Sequence, residues 1–154
     1  MATSTSTSAP VRRSAVSLGT ALRTGAVAGV IAAVTNVVIS VIARGPFGAS
    51  DDFVPLTPGP IVMWTMLGAI VGAVGWRLVV NTSARSRALL NTLVPTVLAL
   101  SLIPDVALLA TDSVPGQTTA GVVALMVMHV VTAAIAVTAY RTTMRRPSPA
   151  SAAR

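Results

Sequence analysis

Residues 25–43 read GAVAGVIAAVTNVVISVIA, a run of 19 residues that contains no charged side chain. At a rise of about 1.5 Å per residue, an α-helix of this length covers about 28 Å, which is close to the roughly 30 Å hydrocarbon core of a bilayer. A buried helix of a water-soluble protein rarely stays apolar on every face over such a length. The stretch therefore predicts a helix that crosses a membrane.

Three further runs of the same kind follow, and the composition of the whole chain agrees with them. These runs cover residues 60–80, 88–110 and 118–140. Of the 154 residues, 53% are hydrophobic and only 10% are charged, whereas a soluble domain has about 25% charged residues. The sequence thus predicts an all-α, integral membrane four-helix transmembrane bundle over residues 21–142. It would lie between a disordered cytoplasmic tail at 1–20 and a second cytoplasmic tail at 143–154.

The charged residues are distributed unequally between the two ends of the predicted helices. The chain has eleven arginines and four aspartates, no lysine and no glutamate, for a net charge of +7. Ten of the arginines fall on the side that holds both termini and the connection between the second and third helices. Because basic flanking residues stay in the cytoplasm, this predicts an N-in/C-in orientation with arginines near anionic lipid headgroups. Nucleic-acid binding is not indicated, since the arginines flank apolar runs.

The amino-acid usage and two arginines near the N-terminus bear on the source and the location of the protein. A basic set made only of arginine, in an alanine-rich chain, is typical of GC-rich coding and suggests an actinobacterial source and a bacterial plasma membrane. Arg12 and Arg13 resemble a twin-arginine export signal, but the 19-residue apolar run exceeds the about 7–15 residues of signal-peptide cores. A retained helix is therefore favoured.

The absence of cysteine excludes disulfides, thiol catalysis and cysteine-ligated metal.

Small residues suggest how the predicted helices approach one another. Gly25 and Gly29 form a G-x-x-x-G pattern in the first run, and Gly68 and Gly72 form a second in the next run, followed by Gly75. Such patterns let helix backbones come close in lipid, where no hydrophobic force drives helices together. We expect both stripes to pack inside the bundle, with a dimer contact as the alternative.

The aromatic residues fall near the ends of predicted helices. Trp64 lies near the start of the second run, Trp76 near its end, and Tyr140 closes the fourth run. Because amphipathic rings favour the membrane–water interface, we expect all three rings at that level.

Polar residues inside the apolar runs mark a candidate site. They are Asn36 in the first run, Asp105 in the third and His129 in the fourth, with Ser101 one turn before Asp105. Polar groups are costly in lipid, so they face the bundle interior and find partners there. Counted along the helices, the first three lie about 10, 7 and 16 Å below the outer boundary. The four residues together predict an outward-facing polar pocket.

Two interpretations of this cluster remain open. In the structural one, Asp105 and the preceding proline cap or kink the third helix, while Asn36 and His129 only bridge helices. In the functional one, Asp105 and His129 form a proton-linked or ligand-binding pair, because histidine changes charge near neutral pH. One histidine and one aspartate are too few for a metal site, and no cofactor is predicted. Asp51 and Asp52 fit solvated loop charges better than a calcium site.

No catalytic sequence motif is present, such as G-x-S-x-G, H-E-x-x-H, a P-loop or a dinucleotide fingerprint. We therefore predict a non-enzymatic membrane protein, a sensor or accessory subunit, whose pocket takes a small molecule, a lipid group or a proton. Its partners would be the bilayer and a second copy of the chain or another membrane protein. The alternatives are a small oligomeric transporter or channel, and a membrane enzyme that uses His129 and Asp105 on a lipid-like substrate.

Three short features together resemble a known family. They are the first helix with Asn36, the stretch Ser101–Asp105 (SLIPD), and Met128–His129 in the last helix. Over roughly residues 20–142 the chain resembles the domain-of-unknown-function family number 6069, a group of actinobacterial four-helix membrane proteins. The resemblance implies four transmembrane helices and marks Asn36, Pro104, Asp105 and His129 as family-like positions. It implies no activity.

Overall fold

The computed structural model describes residues 15–111 and 113–144, which form four long helices and one short 3-10 turn. The helices are α1 (Leu18–Arg44), α2 (Pro58–Thr82), α3 (Ser86–Ala110) and α4 (Thr119–Thr143). No strand occurs in this part of the chain, and each helix is long and apolar enough to cross a membrane. The prediction of an all-α transmembrane four-helix bundle is confirmed.

Most helices extend beyond the predicted spans. α1 begins at Leu18, inside the segment predicted as a tail, because the Ser17 hydroxyl caps it by accepting a hydrogen bond from the backbone N–H of Thr20 (3.0 Å). Residues 1–14 and 145–154, the larger parts of the two predicted tails, lie outside the described residues. A helix of 25 residues, such as α2, covers about 37 Å, so its ends extend beyond a hydrocarbon core of about 30 Å.

Apolar side chains gather in two clusters at opposite ends of the bundle. The loop-end cluster, beside connections 45–57 and 111–118, comprises Ala43, Ala49, Phe53, Leu56, Ile61, Val122, Ala124 and Met128. The termini-end cluster comprises Ala21, Ala28, Ala73, Trp76, Val80, Leu90, Ala136, Tyr140 and Met144. Each cluster combines the end of one helix with the start of the next. Consecutive helices therefore run antiparallel.

The closest helix approach is between α1 and α2. A Cβ atom added to Gly25 would lie 2.9 Å from Ala73 Cβ and 3.0 Å from the Ala69 carbonyl oxygen, and one added to Gly29 would lie 2.8 Å from Met66 Sδ. At Gly25 the backbone of α2 leaves no room for a side chain, and at Gly29 the Met66 side chain would have to move. The prediction that the Gly25/Gly29 stripe packs inside the bundle is confirmed.

The glycine stripe of α2 is placed differently. Around an added Cβ at Gly68 or Gly75 the structure has nothing within 4 Å, so these two residues lie on the outer surface of α2. A Cβ added to Gly72 would instead lie 3.1 Å from the Tyr140 hydroxyl oxygen of α4. The prediction that this stripe packs inside the bundle is wrong for Gly68 and Gly75, because Ala69 and Ala73 occupy the face that meets α1.

Two of the three predicted interfacial aromatics belong to the core. Trp76 and Tyr140 are 7% and 3% exposed, and their ring centroids lie 5.6 Å apart. The Tyr140 hydroxyl donates to the Ala69 carbonyl oxygen. Only Trp64 is exposed. Packing between α2 and α4 holds these two rings inside the bundle. The level of all three rings relative to the bilayer stays a prediction.

Helix α3 lies at the edge of the bundle. Leu90 and Asp105 are its only buried residues, and large apolar side chains such as Val97, Leu100 and Ile103 are more than half exposed. In water such a surface would be prohibitive, but lipid tails solvate leucine and valine as well as a protein core does. The weak packing of α3 is therefore compatible with a membrane. It leaves Asp105 as one of only two buried residues of this helix.

Candidate functional site

A layer of polar side chains separates the two apolar clusters in the middle of the bundle. On α1, α2 and α4 the polar residue stands between residues of one cluster and residues of the other. We call this set the polar layer; it comprises Asn36, Thr65, Asp105, His129 and Thr132. The layer brings together three of the four predicted site residues, Asn36, Asp105 and His129, and adds two threonines.

The central contact of the layer joins α3 to α4. His129 Nδ1 lies 3.1 Å from Asp105 Oδ2, and the two side chains are 39% and 7% exposed, respectively. The geometry follows from the antiparallel arrangement, because each Cα–Cβ bond tilts toward the N-terminus of its own helix. The aspartate therefore leans away from the loop end, and the histidine leans toward it. The predicted pairing of Asp105 with His129 is confirmed.

The surroundings of the imidazole determine where its protons reside. Nδ1 lies 3.0 Å from the Leu125 carbonyl oxygen as well as 3.1 Å from Asp105 Oδ2. Both neighbours accept hydrogen bonds, so we assign the hydrogen to Nδ1. The contact with Leu125 has hydrogen-bond geometry, whereas Asp105 Oδ2 remains buried without a donor. Nε2 is then the atom at which the ring gains or loses a proton.

Asn36 holds the other half of the layer together. This residue is 2% exposed, and its Nδ2 donates to Thr65 Oγ1 (3.0 Å) and to Thr132 Oγ1 (2.9 Å). One amide therefore links α1 to both α2 and α4. Its Oδ1 is buried without a donor. Thr132 lies one turn after His129 on α4, so the Asn36 bonds and the Asp105–His129 pair are neighbours on one helix face.

Sequence reasoning missed Thr65 and Thr132, and it misjudged Ser101. A threonine inside an apolar helix usually bonds to its own backbone, as Thr35 does with the Ile31 carbonyl oxygen (2.9 Å). The spacing of three residues from His129 was the only available signal for Thr132. The Ser101 hydroxyl donates to the Leu98 carbonyl oxygen of its own helix at 2.7 Å. It therefore shares a helix with Asp105 without joining the pair.

Asp51 and Asp52 lie in the connection between α1 and α2, outside the polar layer. Asp51 is 91% exposed and lies 3.6 Å from Arg44 Nε, an environment that favours a solvated ion pair over a calcium ligand. Across the residues described, no three His, Asp, Glu or Cys side chains come close enough to hold a metal ion. Asn36, Ser101, Asp105 and His129 line neither of two grooves in the described part of the chain, one between α1 and α2 and one at the termini end.

The fold and the polar layer together define the class of protein. The chain is a multi-pass membrane protein built as an antiparallel four-helix bundle, with a carboxylate–imidazole pair at mid-bundle. It belongs to the family of unknown function DUF6069, whose model matches residues 16–146. The resemblance noted in the sequence is thus confirmed. No curated protein and no solved structure matches the chain.

Proposed function

We propose that this protein is a non-enzymatic, proton-responsive membrane protein, a sensor or accessory subunit, in which the Asp105–His129 pair binds and releases a proton. The observation that carries the proposal is the 3.1 Å contact between a carboxylate that is 7% exposed and an imidazole that is 39% exposed. The buried partner needs a compensating charge, and the imidazole is the group of the pair that can take up or release a proton.

Charge balance sets the direction of the response. A carboxylate in the membrane interior is costly unless it is paired. A protonated imidazole makes the pair neutral, and loss of the Nε2 proton leaves one negative charge in the bundle. Histidine is the side chain that changes charge between about pH 5 and 8. Deprotonation therefore weakens the contact between α3 and α4.

Because α3 packs weakly, loss of a proton from the Asp105–His129 pair changes the position of the helix. Leu90 and Asp105 are the only buried residues of the helix, so the pair is a large share of what attaches α3 to its neighbours. The other attachments lie toward the ends, where Arg141 Nη2 donates to Asn91 Oδ1 (3.4 Å) and Gln117 Nε2 donates to the Leu108 carbonyl oxygen. We infer that α3 is the element that moves when the pair changes charge.

No other ionisable side chain competes at the level of the pair. In the described part of the chain, the remaining charged residues lie near the helix ends or in loops; they are Arg23, Arg44, Asp51, Asp52, Arg77, Arg85, Arg87 and Arg141. A conformational response centred between pH 5 and 8 is therefore attributable to Asp105 and His129.

The proposal is tested by measuring the distance between α3 and α4 as a function of pH. The natural chain has no cysteine, so spin labels can be attached to cysteines introduced at Val97 and Ala134, both exposed. In lipid nanodiscs the α3–α4 distance distribution should broaden or shift between pH 5.5 and pH 8. Asp105→Asn and His129→Gln should each abolish that change.

Ser101→Ala provides the matched control, because Ser101 lies one turn from Asp105 and bonds only its own helix. It should keep the full pH response. A distance that is independent of pH in the unmodified pair, or a response that survives Asp105→Asn, would contradict the proposal.

The proposal includes an orientation and a location. We infer an N-in/C-in topology in a bacterial plasma membrane, supported among the described residues by five arginines at the termini end against Arg44 alone at the loop end. The five are Arg23, Arg77, Arg85, Arg87 and Arg141. Anionic headgroups of the cytoplasmic leaflet would face this end. A membrane-impermeant maleimide added to intact cells should label Ser50→Cys in the 45–57 connection and leave Ser83→Cys, in the turn before α3, unlabelled. The reverse pattern would overturn the orientation and leave the proton pair untouched.

A further inference from the structure

A groove at the termini end combines an apolar floor with a basic rim. It has a volume of about 940 Å³ and lies between the end of α2, the start of α3 and the end of α4. Its floor is formed by Trp76, Val80 and Leu90, each at most 8% exposed. This volume is at the upper end of the range of about 300–1,000 Å³ that is typical of small-molecule sites.

Three arginines line the same groove, namely Arg85, Arg87 and Arg141. Arg85 and Arg87 come from the turn and first residues of α3 and are exposed, while Arg141 comes from α4 and contacts Asn91. Among the described residues, no acidic side chain lines the groove. Guanidinium groups bind phosphate with paired hydrogen bonds, so the rim is chemically suited to a phosphate.

Trp76, in the floor of the groove, has a donor without a partner. Trp76 is 7% exposed, and its indole Nε1 is buried without a hydrogen-bond partner among the residues described. A buried donor left unbonded is costly, by about 1–3 kcal/mol. Trp76 also lines the groove. This unbonded N–H lies behind the apolar floor, since the Nε1 atom itself is buried.

The position of the groove selects the source of the phosphate. The helices at this end exceed the hydrocarbon core in length, so Arg85 and Arg87 reach the headgroup level while Trp76 and Leu90 lie at the level of the upper acyl chains. Basic pockets between transmembrane helices bind anionic lipid headgroups for this reason. A free phosphate would use the rim and leave the apolar floor unused.

We propose that the groove between α2, α3 and α4 is a binding site for one anionic phospholipid, with its phosphate held by Arg85, Arg87 and Arg141 and its acyl chains against Trp76, Val80 and Leu90. The site goes beyond the proton response and is independent of it. It differs from diffuse attraction to a charged surface, because it requires particular arginines and one bound lipid per chain.

The test is native mass spectrometry of the full-length protein released from nanodiscs of phosphatidylglycerol and phosphatidylcholine. One phosphatidylglycerol per chain should be retained in preference to phosphatidylcholine. Arg87→Gln should weaken retention by about tenfold or more, as expected for loss of a charge-assisted hydrogen bond. Arg23→Gln is the matched control: Arg23 is an exposed arginine of the same end that does not line the groove.

Two further results keep the test decisive. Ala88→Trp retains every charge and fills the groove, so it should displace the lipid as Arg87→Gln does. Equal losses in Arg87→Gln and Arg23→Gln, about fivefold each, would indicate diffuse attraction and overturn the site. Displacement of the lipid by millimolar inorganic phosphate would identify an anion site and would also overturn the assignment to lipid.

Discussion

Helices α1 and α3 are similar in sequence character and opposite in structural role. Both are long and apolar enough to cross a membrane, yet 39% of the most apolar 18-residue window is buried in α1 and only 6% in α3. The buried face of α1 consists of small residues, including Gly25, Ala28, Gly29 and Ala32. α3 has no glycine and is rich in leucine and valine.

The comparison shows what decides packing inside a bilayer. Lipid solvates large apolar side chains as well as another helix does, so leucine and valine do not draw α3 inward. Small residues allow α1 and α2 to approach until their backbones are in contact. α3 is held instead by a polar contact and by bonds near its ends. A helix of this kind is well placed to respond to a change of charge.

The largest loss of stability is expected when a side chain is introduced into the α1–α2 contact. Gly25→Leu should destabilise the bundle by about 3 kcal/mol, because the new side chain meets the backbone of Ala69 and Ile70. Thermal unfolding in detergent measures the effect. Gly68→Leu is the control, and since it points into open space it should change stability by no more than about 0.5 kcal/mol. Equal losses would mean that the close contact of Gly25 with α2 does not account for the stability of the bundle.

The amide of the polar layer should have the next largest effect. Asn36→Ala removes both hydrogen bonds to Thr65 and Thr132 and should cost about 1.5 kcal/mol, near the upper end of interhelical polar contacts in membranes. Thr35→Ala, which removes a hydroxyl bonded to its own helix, should cost less than about 0.5 kcal/mol in the same unfolding assay. An Asn36→Ala protein as stable as Thr35→Ala would show that α1 is held by close packing alone.

The start of α1 should be more sensitive than the start of α3, because a side chain of α2 makes two hydrogen bonds to the backbone just before α1. Asn81 accepts from the Val16 N–H and donates to the Val16 carbonyl oxygen, both at 3.0 Å. Asn81→Ala should cost about 1 kcal/mol locally, seen as about fivefold faster amide exchange at the first turn of α1. Thr82→Ala, whose hydroxyl bonds to Leu78, should leave that exchange unchanged.

The smallest effect on stability is expected at Asp105. Asp105→Asn keeps the shape of the side chain and an oxygen that accepts from His129 Nδ1, while it removes a charge from the bundle interior. The unfolding free energy should therefore stay within about 0.5 kcal/mol or rise. Melting temperatures in detergent decide the point. A loss of about 1–3 kcal/mol, comparable to that of Asn36→Ala, would support the structural interpretation of Asp105 and argue against a working proton pair.

Much of the candidate site followed from the sequence, for a definable reason. A carboxylate and an imidazole inside apolar runs must find partners, and the antiparallel order of short-looped helices brings the end of α3 to the start of α4. Asp105 and His129 therefore had few other groups to meet. Ser101 and the threonines were beyond such reasoning, because a hydroxyl is satisfied equally well by its own helix or by a neighbour, and only the packed geometry distinguishes the two.

The sequence by itself determined the four membrane-crossing helices, their order and the need for Asn36, Asp105 and His129 to face inward, because a span in lipid must be apolar on all sides and its polar exceptions must be paired. Only the tertiary structure decided which glycine stripe is buried, that Trp76 and Tyr140 form core, and that α3 stays at the edge. Those outcomes depend on the rotation of each helix about its axis. In lipid that rotation is set by close contacts of small residues and by single hydrogen bonds. A helix that is apolar on every face has no sequence pattern that reveals which of its faces makes these contacts.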